Sequence, residues 1–243
     1  QAAQVVRTMY VARDRRVANG VLIMPSVALV AEGLTDQIII ARLIRAIYQS
    51  RSDEDWLQVN PLQPLRDSSD AHHAPHAGWE KVFEFCEHSM EDALATNDYV
   101  VVHVDTDQGD HPNFGLPLTN GGVDRAYLDL IEGARAILIG KMGAAATETA
   151  LTRTIFAIAV HATESWLLLI LYDENRLKST FDRLVRVLRK RDDLHLVKEA
   201  RSYIDLTRGI KDRAVRRHTG GAHSLGVFLA ELRDRMATPL KVF

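Results

Sequence analysis

Two apolar runs, each ending in carboxylates, constrain this chain most. Val27-Ala28-Leu29-Val30-Ala31 leads into Glu32-Gly33-Leu34-Thr35-Asp36, and Tyr99-Val100-Val101-Val102-His103-Val104 leads into Asp105-Thr106-Asp107. Short runs rich in β-branched residues and bounded by turn residues read as buried strands. In open α/β sheets, sites form at the carboxyl ends of parallel strands. Glu32, Asp105 and Asp107 are therefore expected side by side, although 73 residues separate the first two. Clustered carboxylates repel one another at neutral pH unless a cation sits between them. Hard oxygen donors select Mg²⁺ or Mn²⁺, so the pattern predicts a divalent-metal site for phosphotransfer or hydrolysis.

The remaining segments extend this into a fold. A helix is expected from about Thr35 to Gln49, with Ile38, Ile39, Leu43, Ile44 and Ile47 on one apolar face and Thr35 or Asp36 as its cap. Residues 50–78, with Pro61, Pro64 and Pro75, read as loop around a short strand near Leu57 to Val59. A helix follows from Gly78 to Ala95, then the second strand. Gln108 to Gly122 is a Gly- and Pro-rich loop long enough to be functional. A helix from Val123 to Gly133, a strand at Ala136 to Ile139 and a buried strand at Ile155 to Val160 come next. Thr163 caps a helix starting at Glu164, and helices over Leu177 to Arg191, Leu194 to Thr207 and Ser224 to Met236 complete the chain. This order implies an α/β fold, a mainly parallel sheet flanked by helices, with a helical C-terminal extension. The division expected is an N-terminal segment 1–23, a catalytic domain 24–173 and a basic extension 174–243.

Composition narrows the class. At 47% apolar, 243 residues supply a substantial core, and a lone Cys86 excludes an internal disulfide framework and a Cys-rich zinc site. The start shows scattered arginines (Arg7, Arg13, Arg15, Arg16) rather than a signal-peptide pattern. The longest apolar run, Thr154 to Tyr172, contains His161 and Glu164, so it reads as strand then helix and not as a membrane span. A cytoplasmic protein with no membrane partner is expected. Net charge is −2, but Arg176 to Arg217 holds 14 Lys or Arg against 6 Asp or Glu, a local +8 that leaves −10 elsewhere. That asymmetry suits either a phosphate-holding face or a solvated helix surface.

With these motifs in place, the chain resembles the TOPRIM family, the catalytic domain shared by topoisomerases, primases and several nucleases. That family carries a glutamate after its first strand, matched by Glu32, and an Asp-x-Asp after a later one, matched by Asp105 and Asp107. The resemblance spans about Val27 to Trp166. It is similar most of all to stand-alone TOPRIM proteins of bacterial defence loci. There an acid-aromatic-Leu segment follows the last strand, as in Glu164-Ser165-Trp166-Leu167-Leu168. A Ser-x-x-x-Phe-Leu helix lies near the end, as in Ser224 to Leu229. The resemblance implies that Glu32 is a metal ligand or general acid/base and that Asp105 and Asp107 bind Mg²⁺. It implies a Mg²⁺-dependent nuclease acting on DNA or RNA, an effector whose trigger is a partner such as an ATPase or a reverse-transcriptase element, with a homo-oligomer as one assembly.

Other residues carry rival readings. Asp36 is an outer ligand or a helix cap, and Glu164 is a fourth acid or an exposed first-turn glutamate favoured by the helix dipole. Lys141, just beyond a predicted strand, and Lys211, Arg213, Arg216, Arg217 and His218 are candidate cations for phosphate. His72, His73 and His76 read as a polar loop, His103 as a core or surface histidine out of phase with Val102 and Val104, and His161 as a residue at a strand end. Cys86 reads as buried and inert. No P-loop and no Gly-x-Ser-x-Gly motif is present. A phosphatase or nucleotide hydrolase, or a non-catalytic scaffold with vestigial acids, remain the alternatives. A topoisomerase is disfavoured for want of length and of a tyrosine in recognisable context.

Overall fold

The computed structural model describes residues 16–18, 21–23, 25–48, 57–64 and 78–237. His72, His73, His76 and the segment around Val5 to Val11 lie outside them. A short antiparallel ladder pairs β1 (Arg16–Ala18) with β2 (Val21–Ile23). The main sheet has four parallel strands in the order β4-β3-β5-β8, where β3 is Ser26–Val30, β4 Gln58–Gln63, β5 Tyr99–Asp105 and β8 Thr154–Ala159. Val27 to Val30 and Val100 to Val102 are fully buried, as continuous apolar runs in a sheet covered on both faces should be.

The connections explain that double cover. Helix α1 (Leu34–Tyr48) links β3 to β4 on one face. Helices α2 (Trp79–His88) and α3 (Met90–Thr96) link β4 to β5 on the other, as do α4 (Tyr127–Met142) and α5 (Glu148–Arg153) between β5 and β8. The first face is finished by α6 (Glu164–Tyr172), α7 (Thr180–Asp192), α8 (Ala200–Arg208), α9 (Asp212–Arg216) and α10 (Ser224–Ala237). The chain leaves β3 towards one sheet edge and leaves β5 towards the other. The strand order therefore reverses between β3 and β5, the position where open α/β sheets form a crevice.

The α/β fold with a helical extension is as expected, and Thr154 to Tyr172 is a strand followed by a helix. No helix among the described residues is long and apolar enough to cross a membrane. Several local readings change. Ala136 to Ile139 is not a strand but the interior of α4, which runs through Gly133. That glycine does not end the helix. A Cβ there would meet Leu116 Cδ1 at 2.5 Å, so the residue lets the loop before α4 pack directly on it. That loop is folded rather than open. Phe114 and Leu116 are buried against Trp79 and Phe83, and a two-residue ladder joins β6 (Thr119–Asn120) to β7 (Val123–Asp124). The expected helix over 78–95 is broken at Ser89 into α2 and α3.

The C-terminal helices form one body with the sheet. Trp166 in α6 donates its indole N–H to Ser224 Oγ at 2.8 Å and stacks on Phe228 of α10 at 5.4 Å, with 10° between ring planes. The two segments nominated from sequence thus meet in space. Ser224 also receives the Val160 N–H at 3.4 Å, tying α10 to the end of β8. Trp166→Ala should lower unfolding free energy by about 3–5 kcal/mol in urea titration, the range for deleting a large buried aromatic. A loss under 1 kcal/mol, roughly that of a surface substitution, would show that this packing is dispensable.

Candidate metal centre

The strand ends bring together most of the nominated acids. Glu32 follows β3, and its Oε1 accepts the Asp105 backbone N–H at 2.7 Å. Asp105 closes β5. Asp36, in the first turn of α1, and Glu164, first residue of α6, are both buried. One ligating atom from each of Asp36, His103 and Asp105 lies within 4.8 Å of the other two.

His103 belongs to this group because of strand geometry. Side chains two apart on a strand share a face, so His103 and Asp105 point the same way, and His103 Nε2 lies 3.1 Å from Asp105 Oδ1. The rule does not extend to Asp107, which the sequence pattern also places with the acids. β5 ends at Asp105 and the backbone turns at Thr106. Asp107 is consequently exposed on the turn, outside the tight group. His103 itself is fully buried, and its Nδ1 has no hydrogen-bond partner.

The surrounding residues fix the acids. Thr163 does not cap α6 with its side chain; its hydroxyl donates to Asp36 Oδ1 at 2.5 Å. Asp36 is therefore a held, buried carboxylate rather than a helix cap. Tyr203 of α8 donates its hydroxyl to Glu164 Oε1 at 2.7 Å, which excludes the exposed first-turn reading of Glu164. Opposite, His161 adopts a left-handed φ of 65°, an uncommon conformation for a non-glycine residue. The strained turn is pinned to the loop after β5. The His161 N–H donates to Thr106 Oγ1 at 2.9 Å and its carbonyl accepts the Asp107 N–H at 3.1 Å. Gly78, at a φ of 114°, donates its N–H to the Glu32 carbonyl at 2.8 Å and joins the start of α2 to the site.

The electrostatics follow from burial of like charges. Burial raises the Glu32 carboxyl well above its ordinary range, with Asp105 adding repulsion and His103 opposing it. Burial raises Asp105 likewise, reinforced by Asp36, Glu164 and Asp107. Desolvation raises Asp107, against the pull of Gln108 and Lys198. Among the described residues, none of these acids forms an ion pair with Lys or Arg; His103 is the one basic partner at Asp105. The donor set fits a divalent cation: two carboxylates with a third and fourth beside them, and a buried imidazole. Carboxylates suit Mg²⁺ and Mn²⁺ alike, and the imidazole shifts the preference towards Mn²⁺.

The nominated cations lie elsewhere. Lys141 is not beyond a strand but in the last turn of α4, where it pairs with Glu87 at 2.7 Å and sits over Phe83 at 5.4 Å. α4 carries the chain back from the carboxyl edge of the sheet, so Lys141 is at the far end from the acids. Arg216 donates to the Ala46 carbonyl at 3.5 Å, and Arg217 donates to the Ile170 carbonyl at 3.2 Å and lies 3.5 Å from Asp173. Those partners are the C-terminal ends of α1 and α6, where cations complement the helix dipole. The neighbouring Lys211 and Arg213 share that end, exposed. Lys198 and Lys178, whose charges act on Asp107 and His161, carry no local signal in the sequence that marks them. Cys86 is buried and its thiol is pushed up to about 12, as an inert core cysteine requires. Comparison of the chain with protein-family models, with curated proteins and with solved structures returned no match.

Raised carboxyl pKa values give stability a definite pH dependence. Between the unfolded and folded values the native state binds more protons, so stability falls as pH rises through that window. In EDTA, the Tm should decline as pH rises from about 4, and Asp105→Asn should flatten the decline. Mn²⁺ at about 100 times its Kd should restore about 2.7 kcal/mol. A Tm indifferent to pH, Mn²⁺ and this substitution would remove the case for a metal centre.

Proposed function

We propose that this protein is a divalent-metal-dependent nuclease, with the reaction centred on Asp36, His103, Asp105 and Glu32. The observation that carries the reading is a buried acid–imidazole group at the point where strand order reverses, with carboxyls that their own neighbours push towards protonation. Such a group is costly unless a cation joins it, and perturbed groups in a crevice mark functional sites. The TOPRIM resemblance supports the same residues independently, through Glu32 and Asp105.

Bound there, Mg²⁺ or Mn²⁺ supplies Lewis-acid polarisation of the phosphate and acidifies water. The protein's own parts do the rest. Asp36 and Asp105 would hold the cation, each oriented by a fixed partner, Thr163 for Asp36 and His103 for Asp105. Glu32, whose carboxyl titrates above its ordinary range, is suited to take a proton from the attacking water. Tyr203 keeps Glu164 turned into the site. Asp107, exposed on the turn after β5, would be open to solvent and substrate beside the centre. A role as the toxic effector of an anti-phage system, released by an ATPase or reverse-transcriptase partner, rests on the resemblance alone.

Plasmid DNA, single-stranded DNA and bulk tRNA incubated with Mg²⁺, Mn²⁺ or EDTA provide the test. Cleavage is expected with Mn²⁺ or Mg²⁺ and not in EDTA. It should drop about 10²-fold or more in Glu32→Ala and in Asp105→Ala/Asp107→Ala, as for loss of a principal charge-stabilising group. Cleavage that persists in both variants would reject the assignment. Hydrolysis confined to a nucleotide or phosphomonoester would move the same site to the phosphatase class.

A further inference from the structure

The basic segment Arg176 to Arg217 is split by the fold, and its two halves face different ends of the sheet. Lys211 to Arg217 lie by the C-terminal ends of α1 and α6. The first half instead lines a groove of 770 Å³ between the start of α7 and the segment leading to α8. Arg176, Arg186 and Lys198 are its cations, and Phe181, Val185 and Leu196 its apolar surface. Leu196 is buried, Phe181 and Val185 are half-buried, and Arg186 and Lys198 are exposed. The floor is therefore apolar and the rim positive. Asp182 is the one acid on the wall, and His195 adds a further polar ring.

The groove borders the segment that enters α8. Lys198 sits at 5.0 Å over the Phe181 ring. Two residues beyond Lys198, α8 begins, and its Tyr203 hydroxyl bonds Glu164 in the centre itself. Lys178, just ahead of α7, pairs with Asp124 at 2.6 Å.

We infer that this groove binds single-stranded nucleic acid and delivers it to the acid centre, with Arg186 and Lys198 on the phosphates and the Phe181–Val185–Leu196 floor under a base or sugar. This deepens the nuclease reading and rests on it for the delivery step alone. Single strands are favoured because unstacked bases expose apolar faces that such a floor can cover, whereas duplex DNA presents only backbone and groove edges. A cationic rim alone would serve either form; the half-buried floor distinguishes them.

The test is binding without turnover. Fluorescein-labelled single-stranded DNA and RNA oligonucleotides, and their duplexes, are titrated with the full chain in EDTA at several salt concentrations, with fluorescence anisotropy as readout. The double variant Arg186→Glu/Lys198→Glu, both positions exposed, should bind single strands about tenfold more weakly or worse. Its slope of log affinity against log salt should fall by about 1.4, the value for two lost phosphate contacts. Lys211→Glu/Arg213→Glu should bind within about twofold of the parent, because its charges face the other end. Unaltered melting temperatures certify folding. The assignment is overturned if the distal pair carries the binding, if duplex is bound as well as single strand, or if poly-glutamate displaces the oligonucleotide at equal charge concentration, which would make this a site for acidic peptides. Groove-dependent binding without metal-dependent cleavage would sink the nuclease reading and leave the groove. Cleavage indifferent to the groove pair would do the reverse.

Discussion

Burial of several carboxylates at one end of a parallel sheet is the constraint around which this protein is organised. The connections after β3 and β5 run to opposite edges, and Glu32, just past β3, meets Asp105, the last residue of β5, in the gap. A low-dielectric interior disfavours each charge singly and all of them more strongly together. The structure answers with fixed partners: a backbone N–H for Glu32, a threonine hydroxyl for Asp36, a tyrosine hydroxyl for Glu164 and an imidazole for Asp105. The partners come from three segments, β5, the residues just before α6, and α8, so the site needs the sheet and the C-terminal helices together.

This arrangement separates holding from reacting. Donors such as Thr163 and Tyr203 hold orientation while leaving the charge unneutralised. An arginine in their place would neutralise the acids permanently. The guanidinium groups that do lie under the sheet faces are committed elsewhere, Arg135 to Glu231 at 2.6 Å and Arg42 to Asp212 at 2.6 Å. A centre that stays electrostatically unsatisfied is what a metal-dependent reaction needs.

The sheet and the identity of its acids were legible because both depend on local chemistry. Val27 to Val30 and Tyr99 to Val104 are continuous apolar runs, and Glu32, Asp36, Asp105 and Glu164 stand where those runs and their helices begin or end. What escaped depended on tertiary placement. Gly133 looks like a helix terminator unless Leu116 is known to press against it. Lys141 looks like a strand-end cation once Ala136 to Ile139 is taken for a strand. His103 is a core histidine, as its place in the strand suggests, and its contact with Asp105 two residues on follows from the strand period. Tyr203 reaches the centre from the extension, across a distance in the sequence that no periodicity encodes.

Tyr203 also changes how the molecule is to be partitioned. The sequence suggests a catalytic unit ending near residue 173 with helices appended, as if the two were modules that evolution or an engineer could exchange. A phenol from α8 that holds Glu164, and an indole from α6 seated on α10, make that border functional only on paper. The extension supplies part of the lining of the centre, so the acid cluster is not portable. Grafting residues 24–173 onto another protein would carry over the clustered carboxylates but leave one of them unmoored and an apolar sheet face open to water.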